Sequence, residues 1–173
     1  MERIEFKSKL STNFKNFDFT YDYSDTYLSK PTLKNLNTEM IVTIFSNLGK
    51  NQPGWIKHLM QLRNKVALTF KLKQTKIDEI ANPQKVKVGE KLGPFPLLEK
   101  REDGIILGKN DKHLDFRLLI LFEEISKQAS QICVTTLVRF HNSFGRLYFK
   151  IIKPFHKIII KQMVANIDKQ LNI

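Results

Sequence analysis

The sequence predicts an α+β fold in which a curved antiparallel sheet is wrapped on a long C-terminal helix, with two helices after the first strand. Three changes of period carry this prediction. "NFDFTYDY" alternates aromatic and polar residues, residues 38 to 70 place apolar side chains three and four apart, and a period of two returns from 94 to 141. Helical spacing resumes after residue 142, so the order is strand, two helices, several strands and a helix.

The first strand and the first helix are marked by local signals. Residues 16 to 23 alternate as a half-buried strand does. Asn37 or Thr38 suits the N-cap of the helix that follows, and Gly49 is well placed to end it.

A second helix and a connector come next. Pro53 stands where a first helical turn tolerates proline, and the helical spacing continues from there to Phe70. Residues 71 to 92 are rich in lysine and broken by proline and glycine, with a short edge strand expected near residues 86 to 88.

The remaining strands form a predicted meander. "PFPLLEK" and "GIILG" flank Asp103-Gly104, which is a strong hairpin signal. Strands over 112 to 124 and 131 to 141 follow, joined by the loop "ISKQAS".

The C-terminal helix is the only predicted element long enough to cover this sheet. Asn142 or Ser143 is expected to cap it, and Pro154 should kink it because proline lacks the amide donor. A sheet wrapped on one helix is the helix-grip arrangement, which often leaves an apolar cavity between the two.

Composition indicates one soluble domain. The 173 residues are close to the usual size of a single domain, so we expect a loose lead-in over 1–13 and one domain over 14–173. No apolar stretch reaches the roughly 20 residues that span a bilayer, which argues against stable membrane insertion. The single cysteine, Cys133, and the absence of a secretory signal fit a cytoplasmic protein.

The net charge of +12 is spread along the chain and is mostly lysine. No nucleic-acid-binding motif accompanies it, so we expect no nucleic-acid partner. Four histidines without a HisxxxHis pair, together with one cysteine, make no metal site. GxSxG, P-loop and GxGxxG motifs are absent, and we expect no cofactor.

Several segments resemble a known family in order and spacing. They are "GWIKHLMQLRNKV", "VGEKLGPFPLLE", "ILGKNDKHLDFRLLILFE" and "TTLVRFHNSFGRLYFKIIKPFHKIIIKQM". The family is the bacterial domain-of-unknown-function family 2867, and the resemblance covers roughly residues 20 to 165. The family is similar to START-like ligand-binding domains, which implies the same helix-grip fold. It brings no established reaction or ligand.

The two long strands align their polar residues if the loop between them is centred near residue 127. His113 then faces His141, Asp115 faces Arg139 and Arg117 faces Leu137. These residues share one face, and the other face is almost purely apolar. The polar candidates for a ligand site are His113, Asp115, Arg117, Arg139 and His141, and the apolar candidates are Leu119, Leu121, Cys133, Leu137, Tyr148 and Phe155.

Two interpretations of this mixed face stay open. In one, it is a cross-strand charge cluster in contact with water, and each ion pair contributes about 0.2 to 1 kcal/mol. In the other, it lines the cavity, where apolar side chains hold the body of a small hydrophobic or amphipathic ligand and arginine binds an acidic head group.

Two further functions are alternatives to ligand binding. A small enzyme of the cyclase or hydrolase type would use His113 and Asp115 as acid and base beside Arg117. A peripheral membrane or partner-binding protein would use the basic stripe of the last helix, although the sheet needs the apolar side of that helix. That stripe consists of Arg146, Lys150, Lys153, Lys157 and Lys161.

Overall fold

Eight helices and strands are defined in the computed structural model, which describes residues 19–33, 35–48, 61, 86–93 and 95–171. The strands are β1 (Tyr23–Leu28), β2 (Lys91–Leu92), β3 (Phe95–Arg101), β4 (Gly104–Asn110), β5 (Leu114–Ser126) and β6 (Ala129–Phe140). The helices are α1 (Thr38–Leu48), which follows β1, and α2 (Ser143–Leu171), which follows β6.

The strands form one antiparallel sheet in the order β1-β6-β5-β4-β3-β2. From β2 to β6 each strand pairs with the next along the chain, and β1 joins at the far edge beside β6. The predicted fold class is confirmed, because this curved sheet packs on a long C-terminal helix in an α+β arrangement consistent with a helix grip. The predicted second helix over 53 to 70 and the lead-in over 1–13 lie outside the described residues, apart from the helical residue 61.

The first strand begins later than its aromatic alternation predicts. Pairing with β6 starts at Tyr23, opposite Val138, and residues 19 to 22 are not in a strand. The Asp22 carboxylate accepts a hydrogen bond from the Phe140 amide at 2.7 Å, where a backbone carbonyl would otherwise continue the ladder. In this register residues 22 and 21 would face Arg139 and Phe140, the last residues of β6, so residues before 21 have no β6 strand residue to pair with.

The short edge strand also lies later than predicted. The chain turns at residues 88 and 89, where the Glu90 amide donates to the Lys87 carbonyl at 3.0 Å, so residues 86 to 88 are not a strand. The edge strand is β2, which pairs with the start of β3. The predicted hairpin is confirmed, but its turn residues are Glu102 and Asp103, because Gly104 already begins β4 opposite Arg101.

Both faces of the sheet are apolar, but only one packs on α2. We call the face against α2 the inner face. There the helix buries Ile160, Val164 and Ile167 against a group of strand residues that share one parity: Leu118, Ile120, Ile132 and Val134. Burying a side chain of this size contributes about 1.5 to 3 kcal/mol, so these contacts fix the helix on the sheet.

The opposite face, which we call the outer face, carries a separate apolar cluster. It consists of Ile106, Leu119, Leu121 and Leu137, with Phe19 and Leu98 packed against it. No residue of α2 belongs to this cluster.

Both helices begin at the predicted caps, and the predicted end of the first helix at Gly49 lies outside the described residues. The Asn37 side-chain oxygen accepts a hydrogen bond from the Met40 amide at 2.9 Å, and the Asn142 oxygen accepts one from the Gly145 amide at 3.1 Å. The α2 helix continues through Pro154 to Leu171.

Candidate functional site

The predicted pairing of the two long strands is confirmed. Asp115 lies opposite Arg139 and Arg117 lies opposite Leu137. The His141 amide donates to the His113 carbonyl oxygen at 3.0 Å, which extends the same register to the histidines. The register shifts only near the turn, between residues 124 and 126.

The predicted apolar lining is divided between the two faces of the sheet. Leu119, Leu121 and Leu137 belong to the outer face, as does Cys133, which lies opposite Leu121. Tyr148 packs in a cluster between α2 and the inner face, and Phe155 is half-buried on α2. These residues therefore do not line one cavity. Along the described residues, the inner face packs directly against α2 with aliphatic and aromatic side chains.

The polar candidates form different contacts from those expected. The Asp115 carboxylate lies 3.0 Å from His141 Nε2 and also accepts a hydrogen bond from the Asp111 amide at 3.2 Å. Arg139 is exposed on the same face. His113 Nδ1 lies 3.0 Å from the Asn142 side-chain amide at the start of α2. The acid–base pair predicted for an enzyme, His113 with Asp115, is therefore not formed.

Arg117 is the half-buried cation of the outer face. Nη1 donates a hydrogen bond to the Phe116 carbonyl oxygen at 2.9 Å, and the guanidinium carbon lies 4.5 Å from the centre of the Phe19 ring. Burial lowers the pKa of Arg117, and the nearby charge of Asp115 opposes that shift. The side chain keeps its positive charge because an arginine pKa starts far above neutrality.

A glycine beneath Arg117 gives its side chain room to cross β4. Gly108 lies opposite Arg117 in the sheet. A Cβ atom there would stand 2.9 Å from Arg117 Cδ and 2.9 Å from Leu98 Cδ1, and it would collide with the Phe116 carbonyl oxygen. Glycine at this position therefore lets the guanidinium lie close to the apolar residues of the outer face.

A second polar site joins β1 to α2 on the inner face. His156 Nε2 lies 3.3 Å from Asp25 Oδ1, and the Tyr23 hydroxyl donates to Asp25 Oδ2 at 2.7 Å. The side chains of Asp25 and His156 are 11% and 18% exposed. Lys153 Nζ lies 4.4 Å from the centre of the Tyr23 ring, which brings a cation close to the pair.

The Asp25 carboxyl is held in its ionised form by this pairing. Burial by itself would raise its pKa, but the hydrogen bond and charge of His156 and the Tyr23 hydroxyl outweigh it, so the pKa of Asp25 is lowered. No carboxylate stands at helical spacing from His156, so the sequence near it offers no partner. Its partner comes instead from a strand 131 residues earlier.

Other features of the described residues add no chemistry to these two sites. No group of three or more His, Cys, Asp or Glu side chains among them is arranged to hold a metal ion. None of their helices is long and apolar enough to cross a membrane. A depression of about 340 Å³ lies between α1 and the end of α2, and its lining contains none of the predicted site residues.

Comparison with known proteins identifies the same family that the sequence segments resemble. The sequence profile of the family described as "Protein of unknown function (DUF2867)" matches residues 20–163. The chain belongs to this family. The matched range includes β1, the whole sheet and most of α2, so both polar sites lie inside the family's domain. No curated protein and no solved structure matches the chain.

Proposed function

We propose that this DUF2867 chain binds a small amphipathic molecule with an acidic head group, and that Arg117 on the outer face of the sheet holds the head group. The observation that carries the proposal is the guanidinium itself. It is half-buried, and among the described residues its one hydrogen bond goes to a backbone carbonyl. A planar guanidinium with remaining donors suits a carboxylate or phosphate, which it can bind through two parallel hydrogen bonds.

The carboxylate of the neighbouring Asp115 contacts other groups and not the Arg117 guanidinium. Asp115 Oδ1 is within hydrogen-bond distance of His141 and of the Asp111 amide. A charge that is partly removed from water is retained mainly when it is paired or used, and this supports a role for Arg117 in binding.

Apolar surface lies directly beside the guanidinium. Phe19 and Leu98 are both half-buried, and both pack on the outer-face cluster. The hydrocarbon part of a ligand can contact these two side chains while its head group meets Arg117. This combination of one cation and adjoining apolar surface favours an amphipathic acid over a sugar or a nucleotide.

Isothermal titration calorimetry with decanoate and decanol tests the proposal, because these probes share an alkyl chain and differ in the head group. We expect decanoate to bind the unmodified chain and Arg117→Gln to weaken its binding about 30-fold, the effect of a hydrogen bond to a charged group. Decanol should bind both chains equally.

The matched control is Arg139→Gln, which removes an exposed arginine from the same face. It should leave decanoate binding within about twofold of the unmodified chain, as expected for screened surface charges. Equal loss from both substitutions would indicate a general effect of charge and would refute the specific role of Arg117. Absence of decanoate binding, with no ligand detected by native mass spectrometry of protein purified from cells, would refute small-molecule acid binding.

A further inference from the structure

The long helix α2 is apolar on its solvent side as well as on its buried side. Four large apolar side chains stay exposed there: Phe144 at 62%, Leu147 at 51%, Ile151 at 40% and Ile158 at 48%. Intervals of three, four and seven residues place them on one side of the helix, since each residue advances about 100°. The buried residues Phe149, Ile160 and Ile167 lie on the opposite side. We call the four exposed residues the apolar ridge.

A row of cations runs beside the apolar ridge. It comprises Arg146, Lys150, Lys153, Lys157 and Lys161, spaced three and four residues apart on one flank. No aspartate or glutamate occurs in the sequence from 143 to 167. Lys150 and Lys161 are exposed, whereas Arg146 lies 3.6 Å from Asp22 and Lys153 lies over the Tyr23 ring. The exposed side of α2 is therefore both apolar and positively charged.

This pattern fits the surface of an anionic bilayer better than water or a second copy of the chain. A helix side that only faces water is usually polar or charged throughout, without a repeating apolar ridge. Two copies packed through the ridge would bring two basic rows together, and like charges at an interface are unfavourable. An anionic bilayer offers hydrocarbon to the ridge and phosphate groups to the cations.

We infer that α2 docks on anionic lipid membranes, with the apolar ridge in the interfacial region and the basic row against the lipid phosphates. The helix lies along the membrane surface and does not cross it. Its inner side stays packed on the sheet, so docking requires no unfolding of the domain. This inference is independent of ligand binding at Arg117, because the outer face of the sheet lies on the other side of the molecule from α2.

Vesicle co-sedimentation tests the inference with the full chain. We expect binding to vesicles that mix phosphatidylcholine with phosphatidylglycerol, and much weaker binding to phosphatidylcholine alone. Lys150→Gln with Lys161→Gln should weaken binding about 30-fold, which is about 2 kcal/mol at about 1 kcal/mol per basic residue. Leu147→Gln, Ile151→Gln and Ile158→Gln together should weaken it about 100-fold through lost apolar burial. Added salt should reduce binding of the unmodified chain.

Matched controls distinguish the contribution of α2 to vesicle binding from the effects of net charge and of loss of folding. Lys100→Gln with Lys127→Gln removes the same charge from exposed positions on β3 and in the turn between β5 and β6, and it should leave vesicle binding nearly unchanged. Circular dichroism must show the same helix content for all variants. Equal binding to both kinds of vesicle, or an equal loss in the control, would overturn the inference. If sedimentation equilibrium shows a dimer that the ridge substitutions dissociate, and vesicles do not bind, the partner is a second copy and the inference is wrong.

Discussion

The pair formed by Asp25 and His156 allows a quantitative test of how β1 is held on α2. Replacing His156 with Phe keeps an aromatic ring but removes the donor that lies 3.3 Å from Asp25 Oδ1. The carboxylate, 11% exposed, would then keep the Tyr23 hydroxyl as its donor at 2.7 Å. A lost hydrogen bond to a charged group costs about 1.5 to 3 kcal/mol, so we expect the free energy of unfolding to fall by about 2 kcal/mol. For a chain of this length that is a decrease in Tm of about 6 °C.

The loss of unfolding free energy caused by His156→Phe should become smaller at low pH. The pKa of Asp25 is lowered in the folded state, so its ionised form stabilises the fold above the ordinary carboxyl pKa of about 3.9. That contribution is lost as the pH falls through the lower, folded-state pKa. The difference between the unmodified chain and His156→Phe should therefore shrink as the pH falls from about 5 toward about 3.

Urea unfolding followed by circular dichroism at each pH measures this difference. Asp25→Asn and the double variant complete a thermodynamic cycle. The losses of unfolding free energy in the two single variants should add up to more than the loss in the double variant. Additive penalties would mean that the two side chains do not interact. A His156→Phe penalty that stays constant down to about pH 3 would show that the ionised carboxylate is not what the histidine stabilises.

Three other predictions follow from single residues. Burial raises the pKa of the Cys133 thiol, with Glu123 adding to the shift, so the folded chain should react with iodoacetamide far more slowly than the chain unfolded in urea. Gly108→Ala should lower the free energy of unfolding by about 1 to 3 kcal/mol, because the added Cβ collides with a backbone carbonyl oxygen; chemical denaturation measures this. Asn142→Ala should cost about 1 kcal/mol as a lost N-cap, and Asn37→Ala, at the start of α1, is the matched comparison in the same denaturation assay.

The register of the central hairpin was predictable because β5 and β6 are long, the connection between them is short, and Asp115, Arg117 and Arg139 share one parity. A shift of one residue would exchange the faces of a whole strand, so the pattern allows few alternatives. The contacts within that register were less predictable. Asp115 is paired across from Arg139 yet its carboxylate contacts His141, a choice that depends on side-chain rotamers and on the chain bend after Phe140.

The side of the sheet that packs on α2 did not follow from the sequence. Leu118 and Ile120 alternate with Leu119 and Leu121, so β5 is apolar on both faces and its periodicity cannot select one. The structure packs Leu118 and Ile120 against α2 and places the mixed face on the side of the sheet away from that helix. The predicted site at Arg117 therefore lies away from α2.

The Asp25 and His156 pair was missed because its members are far apart in the chain. One signal was present in the sequence. His156 occupies a helical position in line with Phe149, Ile152 and Ile160, on the side that packs against the sheet. A titratable residue at such a position requires a polar partner from the facing strands, and Asp25 shares a strand face with Tyr23.

The position of β1 at the edge of the sheet has a consequence for the order of folding. Strands β3 to β6 pair with sequence neighbours, whereas Thr26 pairs with Thr135 at a sequence separation of 109. Closing so long a loop is entropically slow compared with forming consecutive hairpins. We expect the meander to form first and β1 to dock last, after α2 has covered the inner face. The contact between Asp25 and His156 would then form after the folding transition state. Such a contact slows unfolding without accelerating folding.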